Sequence, residues 1–306
     1  MKALLASLAL IFTFTVVAHA DTVQLEDTFS KTKKWLDEKN LTVTGGPSGN
    51  RDDAAAFAQE ELVFYGEAVG NPAHSTPTQR EVMAKRAAVV TAQRSLVEYL
   101  EGFALVSDTL VKDGMAQYDI IRSAVSGFVK GSQVVFQEYS VEKDVAIAMV
   151  KLGLHGPKGF ASTLYAKIFA DPKALAALKS DKPAFKTAVV KLDAPYDGLI
   201  IDATEQNFRP ALINRIFAAK GDVLYDPAKI SQKVLVEQGC GEYTNSVDKA
   251  KAALASRGVK NPLVVKASGA TTVADLQVAD DDAVTIYSAN QKGKFFSAAK
   301  VAFVLK

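Results

Sequence analysis

Residues 61–69 read ELVFYGEAV and residues 78–101 read TQREVMAKRAAVVTAQRSLVEYLE, and these two runs decide the fold. In the first, Leu62 through Val69 has the apolar and aromatic content of a strand, closed by Gly70-Asn71-Pro72. In the second, Thr78 and Glu81 make a T-x-x-E capping box with Pro77 just before it, which predicts a helix N-terminus. Val82, Val89 and Leu96 recur at seven-residue spacing, as do Met83, Val90 and Val97, and this predicts a two-row apolar stripe on one helical face. Gly102 suits the C-terminal end. At 1.5 Å per residue the helix is roughly 36 Å long, and it needs a sheet beneath it.

The rest of the sheet is sought downstream. Residues 105–111 alternate loosely and end at Asp113-Gly114, which reads as a second strand. Ile120, Ile121, Ala124, Val125 and Phe128 have helical spacing, so a second helix is expected over 115–128, ended by Gly131. Residues 133–141 read as an exposed edge strand, Glu142-Lys143-Asp144 as a turn, and residues 145–154 as the returning strand of a hairpin. The order β-α-β-α-β-β predicts an α+β layer of two helices on a mixed sheet.

On either side the punctuation changes. Upstream, a helix over 29–39 with Trp35 and Leu36 inward and a short one over 52–60 flank the breaker cluster Gly45-Gly46-Pro47-Ser48-Gly49-Asn50. Downstream, residues 160–178 look helical with an interruption at Asp171-Pro172, and Lys179-Ser180-Asp181-Lys182-Pro183 marks a boundary. A second, smaller α+β domain follows. It has strands at 198–203, 262–267 and 300–305, a hairpin from 212–217 to 223–225, and helices at 247–257 and 280–289. The expected layout is a leader over 1–20, a helical segment over 21–60, the first domain over 61–155, a helical linker over 156–192 and the second domain over 193–306.

The leader is read from its composition. Lys2 gives a positive start, residues 3–17 are apolar, and Ala18-His19-Ala20 is an A-x-A site before Asp21. A run of about 15 apolar residues is short for a bilayer, so cleavage between Ala20 and Asp21 and export to the bacterial periplasm are expected ahead of an uncleaved anchor. With Lys2 removed from the 36 basic residues, they exceed the 34 acidic ones by one. Such balance points to neither nucleic acid nor an anionic membrane surface as partner. One cysteine, Cys240, rules out a disulfide within the chain; it reads as a small buried residue in a turn, with an intermolecular disulfide as the alternative.

No catalytic constellation emerges. Besides His19 the chain has only His74 and His155, both in Gly/Pro loops and read as solvated surface residues. A triad needs a base oriented by a carboxylate, and a zinc site needs three or four convergent ligands. The glycines of 45–50 lack the Lys-Ser/Thr of a phosphate loop. Asp280-Asp281-Asp282 lacks spaced calcium ligands and reads as a helix start. Glu60-Glu61 and Asp52-Asp53 are sequence neighbours, which do not converge on one face. Catalytic, cofactor and metal sites are therefore all predicted absent. Arg80, Arg86 and Arg94 are the candidate interface residues, able to meet acidic groups on a neighbouring subunit, with a solvated helix face as the alternative.

Lys85-Arg86-Ala87-Ala88 leading to Ala92-Gln93-Arg94-Ser95-Leu96, then Gly127-Phe128-Val129-Lys130-Gly131 and Val150-Lys151-Leu152, give residues 60–155 a resemblance to the LPP-twenty lipoprotein family of bacterial envelopes. The same stretch is similar to the N-terminal domain of proteins that build rings around the polar flagellar basal body. The resemblance implies envelope localisation, no catalytic activity and assembly into larger rings or discs. It also implies that the stretch from Tyr196 onward is a module that accompanies such domains. The chain departs from the lipoprotein members in placing no cysteine at the cleavage point. The expected function is thus a non-catalytic periplasmic structural or assembly factor, free or peripheral at the outer membrane, flagellum-associated by analogy, with protein partners or self-association. The alternative is a ligand- or cell-wall-binding module whose pocket uses Tyr225, Tyr243, Tyr287 and Phe295, residues that equally suit an ordinary core.

Overall fold

A computed structural model describes residues 25–73, 76–102, 115–129 and 131–306. The leader with its Ala20-Asp21 junction, His74, and the strand expected over 105–111 lie outside the described residues.

Helix α1 (Ser30–Lys39) and the short α2 (Asp53–Ala58) precede strand β1 (Glu61–Val69) and the long helix α3 (Pro77–Gly102). The cap of α3 is Thr76 rather than Thr78: the Thr76 hydroxyl accepts from Gln79 N at 3.1 Å. Thr76-x-x-Gln79 is a second, overlapping capping box, and it wins because it puts Pro77 at the first helical position, where no N–H is needed. Helix α4 (Met115–Val129), β2 (Gln133–Ser140) and β3 (Val145–Gly153) complete the unit. The three strands pair antiparallel in the order β1-β3-β2, with Glu61 opposite Gly153 and Val69 opposite Val145. These three strands are all antiparallel to their neighbours; the fourth strand of the expected mixed sheet, over 105–111, lies outside the described residues.

The helices are also placed differently. Helix α3 covers most of one sheet face, with α2 against β1, and α4 lies beside it, against α3 and the next helix. The opposite face is covered by α1 and its flanks, through Phe29, Leu36 and Val43 on Val63, Tyr65, Ile147 and Met149. The expected two-row stripe of α3 is half right: Leu96 is buried and Val89 and Val97 pack on the core, while Val82, Met83 and Val90 are exposed. The buried row is Ala84, Ala88, Ala92 and Leu96, at strict four-residue spacing. Ala84 and Ala88 meet Ala146 and Ala148. The row is small because the approach is close. A Cβ at Gly66 would collide with the backbone of Ala88 and Ala92, so only glycine opposite alanine lets α3 settle at that depth.

Helices α5 (Phe160–Ala170) and α6 (Pro172–Leu178) follow, split where the Asp171 carboxylate caps Lys173 N and Ala174 N at 2.8 and 3.0 Å. The second unit holds β4 (Gly198–Asp202), β5 (Arg215–Ala218), β6 (Val223–Tyr225), α7 (Gln232–Gln238), β7 (Glu242–Thr244), α8 (Val247–Ser256), β8 (Pro262–Lys266), β9 (Gly269–Thr272), β10 (Asp275–Val278), α9 (Asp280–Gly293) and β11 (Val301–Val304). Strands β7-β11-β4-β8 form a parallel sheet and β6-β5-β10-β9 a mixed one. The parallel sheet explains the unbroken apolar runs of β4 and β11, which are buried on both faces. Ile200, Ala302 and Val304 pack on Ala250 and Leu254 of α8, while Leu199, Ile201, Val301 and Phe303 join the main core. The molecule is α+β throughout. One continuous apolar cluster runs from Leu62 and Phe64 through Phe160 and Leu164 to Ile201 and Phe303.

Candidate functional site

The antiparallel sheet has one closed and one open edge. Along β1 the chain at Thr44 and Gly45 closes it: Thr44 N donates to Val63 O at 2.7 Å and Tyr65 N to Gly45 O at 3.1 Å. The outer edge of β2 makes no backbone hydrogen bond with any described residue. Both faces of that strand are nevertheless held. Thr32 donates through N and Oγ1 to one carboxylate oxygen of Glu138, each at 2.8 Å, and Trp35 stacks on Phe136 with centroids 5.4 Å apart. On the other face Gln137 Nε2 donates to Lys85 O at 3.3 Å. The result is a supported strand whose N–H and C=O groups along one side have no partner among the described residues, the arrangement to which another strand adds. Val134 is 46% exposed on it.

The three arginines part company. Arg80 lies 3.7 Å from Asp144 in the β2–β3 turn, so it clamps α3 to its own hairpin. The Tyr139 hydroxyl donates to the same carboxylate. Arg86 and Arg94 are exposed and form no ion pair with a described residue. With Val90 they stand at four-residue spacing on the outer face of α3, beside exposed Met83.

Where the two units meet, polar groups are buried and occupied. Tyr165 of α5 donates to Leu212 O at 2.8 Å, the Cys240 thiol to the same carbonyl at 3.0 Å, and the Tyr243 hydroxyl lies on Ala211 O at 2.7 Å and on Asn214 Oδ1. Burial pushes the Cys240 thiol up to about 11 and holds Tyr165, Tyr225 and Tyr243 well above the ordinary phenol value. A thiol so placed stays protonated and is not a nucleophile. Tyr225, Tyr243 and Phe295 are buried core, and Tyr287 packs at its margin.

His155 corrects an expectation. Its side chain is buried, not solvated; Nδ1 is bonded to the Glu60 carboxylate, and Nε2 has no partner among the described residues. Gly239, at the C-terminal end of α7, comes so close that a Cβ there would stand 2.6 Å from Nε2. The signals are backbone ones: Glu60 and Gly239 both have positive φ, 58° and 71°. Glu61, as expected for a sequence neighbour, turns elsewhere and pairs with Lys151 at 2.6 Å. The Cys240 thiol is committed to the Leu212 carbonyl and not to this imidazole. Among the described residues no group of three or more His, Cys, Asp or Glu is placed to hold a metal ion.

A cavity of about 180 Å³ lies over the mixed sheet. Ser180, Phe217 and Asp275 form its buried base, and Asp181, Lys182 and Thr271 its mouth. The sequence reading missed it because β9 and β10 are four residues each, too short for alternation to be recognised.

No helix among the described residues is long and apolar enough to cross a membrane. No curated protein matches the chain. A family model described as the second domain of Treponema pallidum Tp0624 matches residues 198–306, a stretch that begins with β4 and takes in both four-stranded sheets of the second unit.

Proposed function

We propose that this chain is a non-catalytic assembly factor of the bacterial cell envelope, exported to the periplasm, which adds a strand of a protein partner or of a second copy to the free edge of β2. The observation that carries the reading is the asymmetry of the antiparallel sheet. One edge is sealed by the chain's own Thr44 and Gly45, while the other is braced on both faces by Glu138, Phe136 and Gln137 and has no backbone partner among the described residues. Natural proteins usually blunt such edges, so a braced and open one is a binding surface.

Further support comes from the interior. Tyr165, Tyr243 and Cys240 at the unit boundary are engaged in structural hydrogen bonds, and the one thiol is held protonated by burial. The resemblance of residues 60–155 to the LPP-twenty family favours an envelope role, and flagellar association rests on fold-level analogy. Protein expressed with its leader and recovered from periplasmic extract is expected to show cleavage before Asp21 by mass and an assembly larger than one chain by light scattering. Val134→Lys places a charge on the open edge and is expected to reduce that assembly without changing the melting temperature. A wild-type monomer at every concentration, together with normal motility and envelope integrity in a deletion strain, would sink the reading.

A further inference from the structure

The mixed sheet of the second unit has two unlike faces. Ile216, Ala218, Leu276 and Val278 turn into the core. The alternate residues Arg215 and Phe217 of β5 and Asp275 and Gln277 of β10 point the other way, with Arg215 opposite Asp275 and Phe217 opposite Gln277 in the parallel register. That polar face is roofed by the end of α6 and the turn after it, where Arg215 Nη2 donates to Leu178 O at 3.0 Å. Between roof and sheet lies the cavity of about 180 Å³.

Its size selects the ligand's bulk. It is slightly larger than the ~150 Å³ hole that accepts a benzene ring and smaller than the ~300 Å³ at which sites for drug-sized molecules begin. One six-membered ring fits. Its walls select the chemistry. Phe217 supplies an apolar ring at the base. Ser180 Oγ accepts from Lys182 N and Thr272 Oγ1 from Ala274 N, both at 3.2 Å, so each hydroxyl keeps its own proton to donate. Asp275 brings a carboxylate to the base, with Oδ1 accepting from Arg215 N at 3.0 Å. The charged side chains of the lining are Asp181 and Lys182 at the mouth and Asp275 at the base, and buried Arg215 stands opposite Asp275 in the strand register, so the charges offset one another rather than gather into a cluster of one sign.

We propose that this cavity binds one neutral, polyhydroxylated six-membered ring, a single saccharide unit, with its C–H face on Phe217 and its hydroxyls meeting Ser180, Thr272 and Asp275. The unit is either a free hexose or the end of a glycan, and both present the same ring.

The test is calorimetric titration of the mature chain with glucose, N-acetylglucosamine and a tetrasaccharide of the latter. Phenol and glucuronate serve as ring-sized controls, one lacking the hydroxyls and the other charged. Saturable binding of a neutral sugar with Kd of about 1 mM is expected. The double variant Ser180→Ala, Thr272→Val is expected to weaken it about tenfold and, with two side-chain-to-backbone hydrogen bonds lost, to melt somewhat lower while still unfolding in one cooperative transition. Lys182→Ala is expected to change it less than about twofold, since a surface charge plays no part in holding a neutral ring. A tetrasaccharide that binds at least as well as the monosaccharide assigns the site to glycan ends, and one that binds worse assigns it to free sugar. Preference for phenol or glucuronate, loss of binding in Lys182→Ala, an unaffected double variant, or no saturation by any neutral sugar would each overturn the proposal.

Discussion

Gly66 sets the depth at which α3 lies on the sheet. Because a Cβ there would strike backbone atoms of Ala88 and Ala92, which cannot rotate away, Gly66→Ala forces helix and strand apart. The expected cost is about 3 kcal/mol, at the upper end for overpacking, read as a lower urea midpoint with an unchanged slope. Cys240 is the opposite kind of residue, small and inert. With its thiol buried, bonded to Leu212 O and pushed up to about 11, it is expected to resist disulfide-exchange reagents at pH 8 in the native protein. It should react stoichiometrically once denaturant is added. Rapid labelling of the folded chain would show that the thiol reaches solvent, contrary to its packing.

Among the elements, α3 carries two different kinds of arginine. Arg80 reaches the Asp144 carboxylate from a site one-third exposed, so the pair is screened, and Arg80→Ala is expected to cost no more than about 1 kcal/mol in thermal or chemical denaturation. Arg94 touches no acid among the described residues. Reversal to Glu should therefore leave stability within about 0.5 kcal/mol of the wild type, as surface changes usually do. If the outer face of α3 joins the β2 edge in assembly, the same variant lowers the association constant in light scattering. An unchanged oligomer would confine the interface to β2. The exposed Val82, Met83 and Val90 make that face more apolar than solvation alone requires.

For the molecule as a whole, the boundary between the units has a pH signature. Cys240, Tyr165, Tyr225 and Tyr243 all hold their protons to higher pH folded than unfolded, because burial penalises their charged forms. Above about pH 9 the unfolded chain has shed protons that the folded chain keeps, so stability is full below that pH and falls as pH rises. The thiol's rise from 9.0 to about 11 amounts to about 2–3 kcal/mol lost across that interval. Cys240→Ala is expected to flatten the decline between pH 9 and 11, leaving the tyrosine part, as followed by urea midpoints at successive pH values. An identical slope in the variant would mean the thiol is already exposed.

Local chemistry was legible where it acts over a few residues. The strand at Leu62, the helix through Val89, the hairpin turn at Asp144, the short strand at Leu199 and the break at Asp171-Pro172 all follow from alternation, helical spacing, glycine and proline, which operate within one element. Those signals also made the class, α+β, readable. The buried face of α3 was legible at Leu96 and Val89 but not at its alanine row, because the larger Val82, Met83 and Val90 draw the eye while the choice there belongs to Gly66, an element away. His155 and Glu60 are 95 residues apart, and the imidazole is covered by Gly239, farther still. The cavity likewise needs β5 beside β10, a parallel pairing between segments 60 residues apart that no local period encodes. The chain alone therefore determined its elements and their turns, since backbone preference and periodicity are short-range. Tertiary packing decided the buried row, the open edge and the roofed hollow, since each exists only where distant segments exclude or admit one another.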